Sequence, residues 1–203
     1  MAGKEALSPE AKFEIPAVNE DQYKQTRDAL AKEGYTFVVD IESVSIGQLA
    51  IDEATSQHFD YFNPSKNVWG IVPLRMEVAI NPNKLRIKKS NSKSTDTQIR
   101  MIQKEERSLK GKLPKEVRGL ISTPMQSASV LVQLDFKYQK ETGKVLFTDW
   151  SGRTDDQTVS DSTANVGRSD PTKKLSVGAW MRGDGYNRLF AVFVVVLPQK
   201  MAV

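Results

Sequence analysis

Apolar and polar residues alternate along several stretches of this chain. Tyr35, Phe37, Val39 and Ile41 alternate with Thr36, Val38, Asp40 and Glu42, a period of two that predicts a strand with the odd set facing a core. Met76, Val78 and Ile80 alternate in the same way with Arg75, Glu77 and Ala79. The turn signal Asn81-Pro82-Asn83 follows, and Leu85 and Ile87 then alternate with Lys84, Arg86 and Lys88. Together these predict a β-hairpin whose second strand has one basic face. The cleanest alternation is Val130, Val132, Leu134, Phe136 and Tyr138, followed by Lys140-Glu141-Thr142-Gly143, which reads as a hairpin turn with Gly143 at positive φ, and by a return strand from Val145 to Phe147. A helix through 127–139 is the rival reading, because Gln, Leu and Lys all tolerate helix; alternation and turn chemistry favour the strand. Leu175 to Trp180 and Leu189 to Leu197 flank Arg182-Gly183-Asp184-Gly185. The second of these segments is apolar at nearly every position, which predicts a strand covered on both faces.

Helical signals lie between the strands. Asn19 and Gln22 have capping-box spacing, Tyr23, Thr26 and Leu30 share a face, and Gly34 is suited to a left-handed stop. Ser45 with Gln48 can cap a helix carrying Ile46, Leu49 and Ala50, a reading preferred over a short strand from Gln48 to Ile51. Thr95 with Gln98 is a further capping box, with Ile99, Ile102 and Leu109 along one stripe as far as Gly111. Pro114 suits the first turn of a short helix with Val117, Leu120 and Ile121 on its apolar side. Residues 151–172 read as a long polar loop, a length that marks a loop as functional or mobile. The expectation is an α+β fold: a mainly antiparallel sheet built from hairpins, packed against two or three helices. Residues 1–18 form a flexible arm, 19–198 one domain and 199–203 a tail. The predicted core is Phe37, Val39, Ile41, Met76, Val78, Ile80, Val132, Leu134, Phe136, Leu146, Val192, Val194 and Val196.

Composition narrows the chemistry. The chain has no cysteine, which removes disulfides, thiolate nucleophiles and cysteine-ligated metals. The longest apolar run, Leu189 to Leu197, is far short of the roughly 20 residues a membrane helix needs. The opening MAGKEALSPEAKFEIPAV has no apolar signal region, so a cytoplasmic protein without a membrane partner is expected. No cofactor is implied. A single histidine, His58, leaves almost no material for a histidine-based triad or metal site.

Charge is distributed unevenly. Between Lys84 and Arg118 the chain carries twelve lysines and arginines against four acids, a local net charge of +8 where the whole protein has +4. Lys84, Arg86, Lys88, Lys89, Arg100, Lys104, Arg107 and Lys110 are the candidate anion-binding residues, with Lys93, Lys112, Lys115 and Arg118 completing the set. Nucleic acid or an acidic protein surface is the partner such a face would meet. No aromatic residue lies between 84 and 118, which weighs against base stacking within that segment. A plain solvated surface is the competing reading.

Three other groups carry possible chemistry. Asp40 and Glu42 project from one side of a strand and could share a divalent metal. The run FVVDIES around them resembles the first motif of the DEDD-type exonucleases, a resemblance that implies metal-dependent phosphodiester cleavage and requires further aspartates with a His or Tyr base. Asp155 and Asp156, with Asp149, Asp161 and Asp170 near them, could offer oxygen ligands to calcium or magnesium, or make local Asx turns in a solvated loop. Arg182-Gly183-Asp184 spells an adhesion tripeptide but reads as a hairpin turn with glycine at positive φ. Trp69, Trp150 and Trp180 read as core or rim anchors. The stretches LISTPMQSASVLVQLDFKYQKETGKVLFTDWSGRTDDQT and FAVFVVVLP resemble uncharacterised proteins of candidate-phylum bacterial genomes, over most of 19–198, and that resemblance implies no activity. The function expected is a non-enzymatic binding or assembly protein using the basic face at 84–118. The alternative is a metal-dependent nuclease or phosphodiesterase built on Asp40 and Glu42.

Overall fold

A helix organises the molecule where alternation predicted a strand. In the computed structural model, which describes residues 14–51, 59–62, 66–158 and 161–201, Ala128–Thr142 is α-helical. Ser127 caps its start by accepting the Val130 N–H, and Gly143, at φ 72°, closes its end in the left-handed conformation. Gly143 therefore takes the positive φ expected of it, as a helix cap and not as a hairpin turn. No return strand follows; Leu146 and Phe147 instead turn their amides onto Asp135. The period of two misled because the polar positions are buried as well. Gln133 lies inside, its side chain accepting from the Glu42 N–H (2.9 Å) and donating to the Glu42 carbonyl (3.0 Å). Asp135 is paired with Arg168. From Ala128 to Phe136 every residue is buried, as befits a helix covered on all sides.

The fold is α+β. A three-stranded antiparallel sheet is formed by β2 (Phe37–Ile41), β4 (Met76–Ile80) and β9 (Val195–Val196), in the order β2-β4-β9. A five-stranded sheet has the order β3 (Phe59–Phe62), β7 (Leu175–Met181), β6 (Ser162–Gly167), β5 (Ser151–Gln157) and β8 (Leu189–Phe190). Its outer pairs β3-β7 and β5-β8 are parallel and its central pairs antiparallel. Six helices accompany the sheets among the described residues: α1 (Glu20–Lys32), α2 (Ile46–Ile51), α3 (Lys66–Trp69), α4 (Thr95–Lys112), α5 (Lys115–Arg118) and α6 (Ala128–Thr142). Helix α6 lies between the two sheets. Phe37, Val39, Val78, Ile80 and Val196 meet it from one side, and Ala164, Val166, Leu175 and Val177 from the other. Gly152 on β5 leaves no room for a Cβ, which would strike Val192 and press on Leu131 of α6. The opposite face of the three-stranded sheet, carrying Val38, Ala79, Val195 and Leu197, packs on Leu30, Ile102, Leu109, Leu113 and Val117 of α1, α4, α5 and their caps. Every predicted core residue falls in, or packs against, the first of these cores; the second is an addition.

Other sequence expectations were met or corrected. Asn19 and Gln22 form the capping box of α1, and Gly34 is left-handed at φ 89°. Ser45 accepts the Gln48 N–H at the start of α2. Helix α4 is capped by Ser94 rather than Thr95. The turn at Asn81 forms, with the Lys84 N–H donating to the Asn81 carbonyl (2.9 Å), but no hairpin follows it. Leu85 enters one core and Ile87 the other, and Arg86 makes only an isolated bridge to Val192. The stretch 189–197 is apolar throughout because it crosses from one sheet to the other, giving β8 to the five-stranded sheet and β9 to the three-stranded one. Residues 151–172, expected as a loop, contribute β5 and β6. The boundaries drawn at 18 and 199 fall inside a parallel ladder of β1 (Ala17–Val18) and β10 (Gln199–Lys200). Among the described residues no helix is long and apolar enough to cross a membrane.

Candidate functional site

The basic segment separates into two parts. In one part the charges are engaged locally. Lys110 pairs with Glu106 (2.7 Å) and Lys112 approaches Glu33 (3.7 Å). Arg118 donates to the carbonyls of Leu113 and Gly111. Arg86 lies over the rings of Phe190 (4.8 Å) and Trp150 (5.7 Å), a cation–π use of its charge. The rest is unmatched. Helix α4 buries Thr95, Gln98, Ile102 and Leu109. Its opposite stripe holds Arg100, Lys104 and Arg107, whose i, i+4, i+7 spacing puts them one above another. All three are exposed and have no carboxylate partner among the described residues. Lys84, Lys88, Lys89 and Lys93 are exposed in the turn and loop leading to the same helix. The expected continuous strand-and-helix face is thus a helical stripe plus a loop.

That loop is firmly built. Lys89 and Ser92 both adopt left-handed backbone, φ 62° and 55°, a conformation that costs about 1 kcal/mol or more for an L-residue and persists only where neighbours impose it. The imposing neighbour is the connection between β7 and β8. The Ser92 N–H donates to the Tyr186 carbonyl (3.0 Å), Asn91 Nδ2 to the Asn187 carbonyl (3.2 Å) and the Thr95 N–H to the Arg182 carbonyl (3.0 Å). Gln98 Nε2, buried on α4, donates to the carbonyls of Ser90 (2.8 Å) and Leu189 (3.1 Å), joining both segments. Gly185 is packed so closely that a Cβ there would collide with the backbone of Ser92 and Lys93. Gly183 does not take the positive φ expected of it. Nor is this connection a hairpin, since β7 and β8 are not neighbours.

Beneath the connection lies Arg153. The register of β5 and β6 sets Gly152 beside Val166 on the α6 side, so Arg153 projects from the other face of the sheet. It is 1% exposed. Its guanidinium donates to Thr95 Oγ1 (2.6 Å) and to the carbonyls of Met181 (3.1 Å) and Asp184 (2.6 Å). No carboxylate pairs with it in an ion pair among the described residues, and burial pulls its pKa down to about 10. One buried cation therefore ties the start of α4 to the end of β7 and the connection after it.

The connection displays two aromatic rings. Trp180, near the end of β7, and Tyr186 stack with centroids 4.8 Å apart and planes 31° from parallel. They are 38% and 42% exposed, and Met181 between them in sequence is 56% exposed. Arg182 pairs with Asp96 beside them (3.1 Å). Sequence reasoning placed Trp180 among core or rim anchors and did not connect it with the basic segment, because the two lie far apart in the chain. The available signal was the run AWMRGDGY, in which large apolar residues sit in a Gly-rich polar context.

The remaining candidates find other uses. Asp40 is exposed on β2 and Glu42 pairs with Lys137 (2.8 Å), which holds its carboxyl below the usual carboxylate range. Lys137 also donates to the Asp40 carbonyl (2.6 Å). Glu77, opposite Asp40 on β4, accepts from the Tyr23 hydroxyl. Asp155 is exposed on β5, whereas Asp156 turns inward and accepts the Ala128 N–H (2.6 Å) at the start of α6. Asp170 makes a local Asx turn, accepting from the N–H (2.7 Å) and Oγ1 (2.6 Å) of Thr172. Among the described residues no group of three or more carboxylate or imidazole side chains is placed to hold a metal ion. His58 lies outside the described residues. No protein-family model, curated protein or solved structure matches this chain.

Proposed function

We propose that this is a non-enzymatic binding protein that meets a phosphate-rich polyanion through the stripe on α4 and the loop before it. The observation that carries the reading is the alignment of Arg100, Lys104 and Arg107 with no carboxylate paired to them among the described residues. A helix face serving solubility alone interleaves its signs, as Glu106 and Lys110 do one turn away. Three unmatched cations in a row instead sum to a local field that draws in a polyanion and exchanges its counterions on contact.

The test is binding of inorganic polyphosphate and of oligonucleotides, followed across a salt series. Affinity should fall steeply as salt rises, each cation contributing roughly 0.7–0.9 to the logarithmic slope. The triple variant Arg100→Glu, Lys104→Glu, Arg107→Glu should bind at least about tenfold more weakly and lose about two to three from that slope, with an unchanged melting temperature because the side chains are exposed. Equal affinity of variant and wild type, or no association of any polyanion at low salt, would overturn the reading.

A further inference from the structure

We infer that the Trp180–Tyr186 pair is a base-stacking platform and that the polyanion is single-stranded nucleic acid; this deepens the proposed function and rests on it. Three observations carry the inference. The rings are stacked on one another and each keeps more than a third of its surface in solvent. A tilted aromatic pair of this kind offers a π-face to an unpaired base and none to a base inside a duplex. The pair also stands on prepared ground. Its connection is fastened to the basic loop through Ser92 and Asn91, is allowed its close approach by Gly185, and is held from below by Arg153. A platform ordered in advance loses little entropy when a ligand lands on it.

Charge is the third observation. Lys93 adjoins Gly185 backbone to backbone, and Lys88 and Lys89 belong to the same short loop. Of the acids nearby, Asp96 is paired with Arg182, while Asp184, whose backbone carbonyl accepts from the buried Arg153, and Asp161 are exposed, so the lysines of the loop outnumber the free carboxylates beside the rings. Aromatic rings with unmatched cations beside them are the combination that recognises a strand whose bases are free and whose backbone is charged. A basic stripe alone would suit a duplex or an acidic protein equally well; the exposed ring pair is what favours the single strand.

The experiment uses the full chain and a thymidine dodecamer, a duplex of equal length, polyphosphate and poly-glutamate as probes, read by anisotropy and by tryptophan quenching. The dodecamer is expected to bind tightest. Trp180→Ala and Tyr186→Ala should each weaken it about tenfold while leaving the salt slope and polyphosphate binding unchanged, and Trp180→Phe should recover most of the affinity while removing the quenching. Duplex, polyphosphate or poly-glutamate binding as tightly as the dodecamer would overturn the inference, as would wild-type affinity in both alanine variants. If the charge-reversal triple still weakens polyphosphate in that case, the cationic reading stands without the stacking platform. If no probe binds at low salt, both fall.

Discussion

Two buried arginines lie on opposite sides of the five-stranded sheet, and the fold treats them differently. Arg168 follows β6 and faces α6. Its guanidinium meets the Asp135 carboxylate at 2.7 Å, with side-chain exposures of 2% and 0%. It also donates to the Lys173 carbonyl, while Asp135 accepts the Leu146 and Phe147 amides. Burial pushes the Asp135 carboxyl up; the arginine and the two amides oppose it. Charge there is matched, and the pair fastens α6 to the sheet and to the chain that follows it. Arg153, on the other face, donates among the described residues to carbonyl and hydroxyl oxygens and to no carboxylate. The matched pair adds nothing to the external field. The unmatched arginine leaves positive charge beneath the end of the molecule that already bears Lys88, Lys89 and Lys93. One cation holds the core together, and the other holds a surface loop in place and adds to its sign.

The contrast is tested most severely at the matched pair. Asp135→Ala strands Arg168 in an interior with no carboxylate left and should destabilise the protein by about 3–5 kcal/mol, measured by urea unfolding. Joint replacement of Asp135 and Arg168 by leucine should cost much less than the sum of the single changes. If each single variant loses under about 1 kcal/mol, the matched pair is not structural and the comparison collapses.

Asp156 extends the contrast to a buried anion without a cation. Among the described residues its carboxylate accepts one hydrogen bond, from the Ala128 N–H, and burial pushes its pKa up to about 6. The folded state thus holds this proton more tightly than the unfolded chain, in which the group titrates near 3.8. Its contribution to stability is greatest below the unfolded value and is lost as pH rises to about 6. Asp156→Asn should therefore gain on wild type by up to about 2–3 kcal/mol between pH 4 and pH 7, seen in paired denaturation curves. A constant difference across that range would show that α6 already stabilises the ionised carboxylate.

Much of the framework was legible in short-range pattern. The capping box at Asn19, the left-handed stop at Gly34 and the strands at 37–41 and 76–80 each depend on neighbours a few residues away, and each formed as expected. The failures share a cause. Gln133 and Asp135 are polar residues made interior by Glu42 and Arg168, distant in the chain, so α6 imitated a half-buried strand. The basic segment was legible as charge. Its division into an engaged end and an unmatched stripe was not, because the division depends on where Glu106, Glu33 and the rings of Trp150 and Phe190 come to rest. The segment carrying Trp180 and Tyr186 reaches the basic loop through hydrogen bonds from Ser92 to Tyr186 and from Asn91 to Asn187, each across more than ninety residues, which no local window contains.

The unmatched side is tested by Arg153 and Gly185. Arg153→Met removes the charge and leaves the Met181 and Asp184 carbonyls without their buried donor, at about 1–3 kcal/mol, less than the loss at Asp135. Because the guanidinium ties the start of α4 to the connection after β7, hydrogen exchange should rise in 181–186 and at Ser92 while α6 stays protected. Gly185→Ala reaches the same result by another route: its Cβ would push the connection away from Ser92 and Lys93, with little effect on either core. Both variants should loosen the ring pair from its loop, and neither should disturb the matched pair. Should exchange rise equally in α6, Arg153 belongs to the core as fully as Arg168, and the two faces of the sheet do not differ in kind.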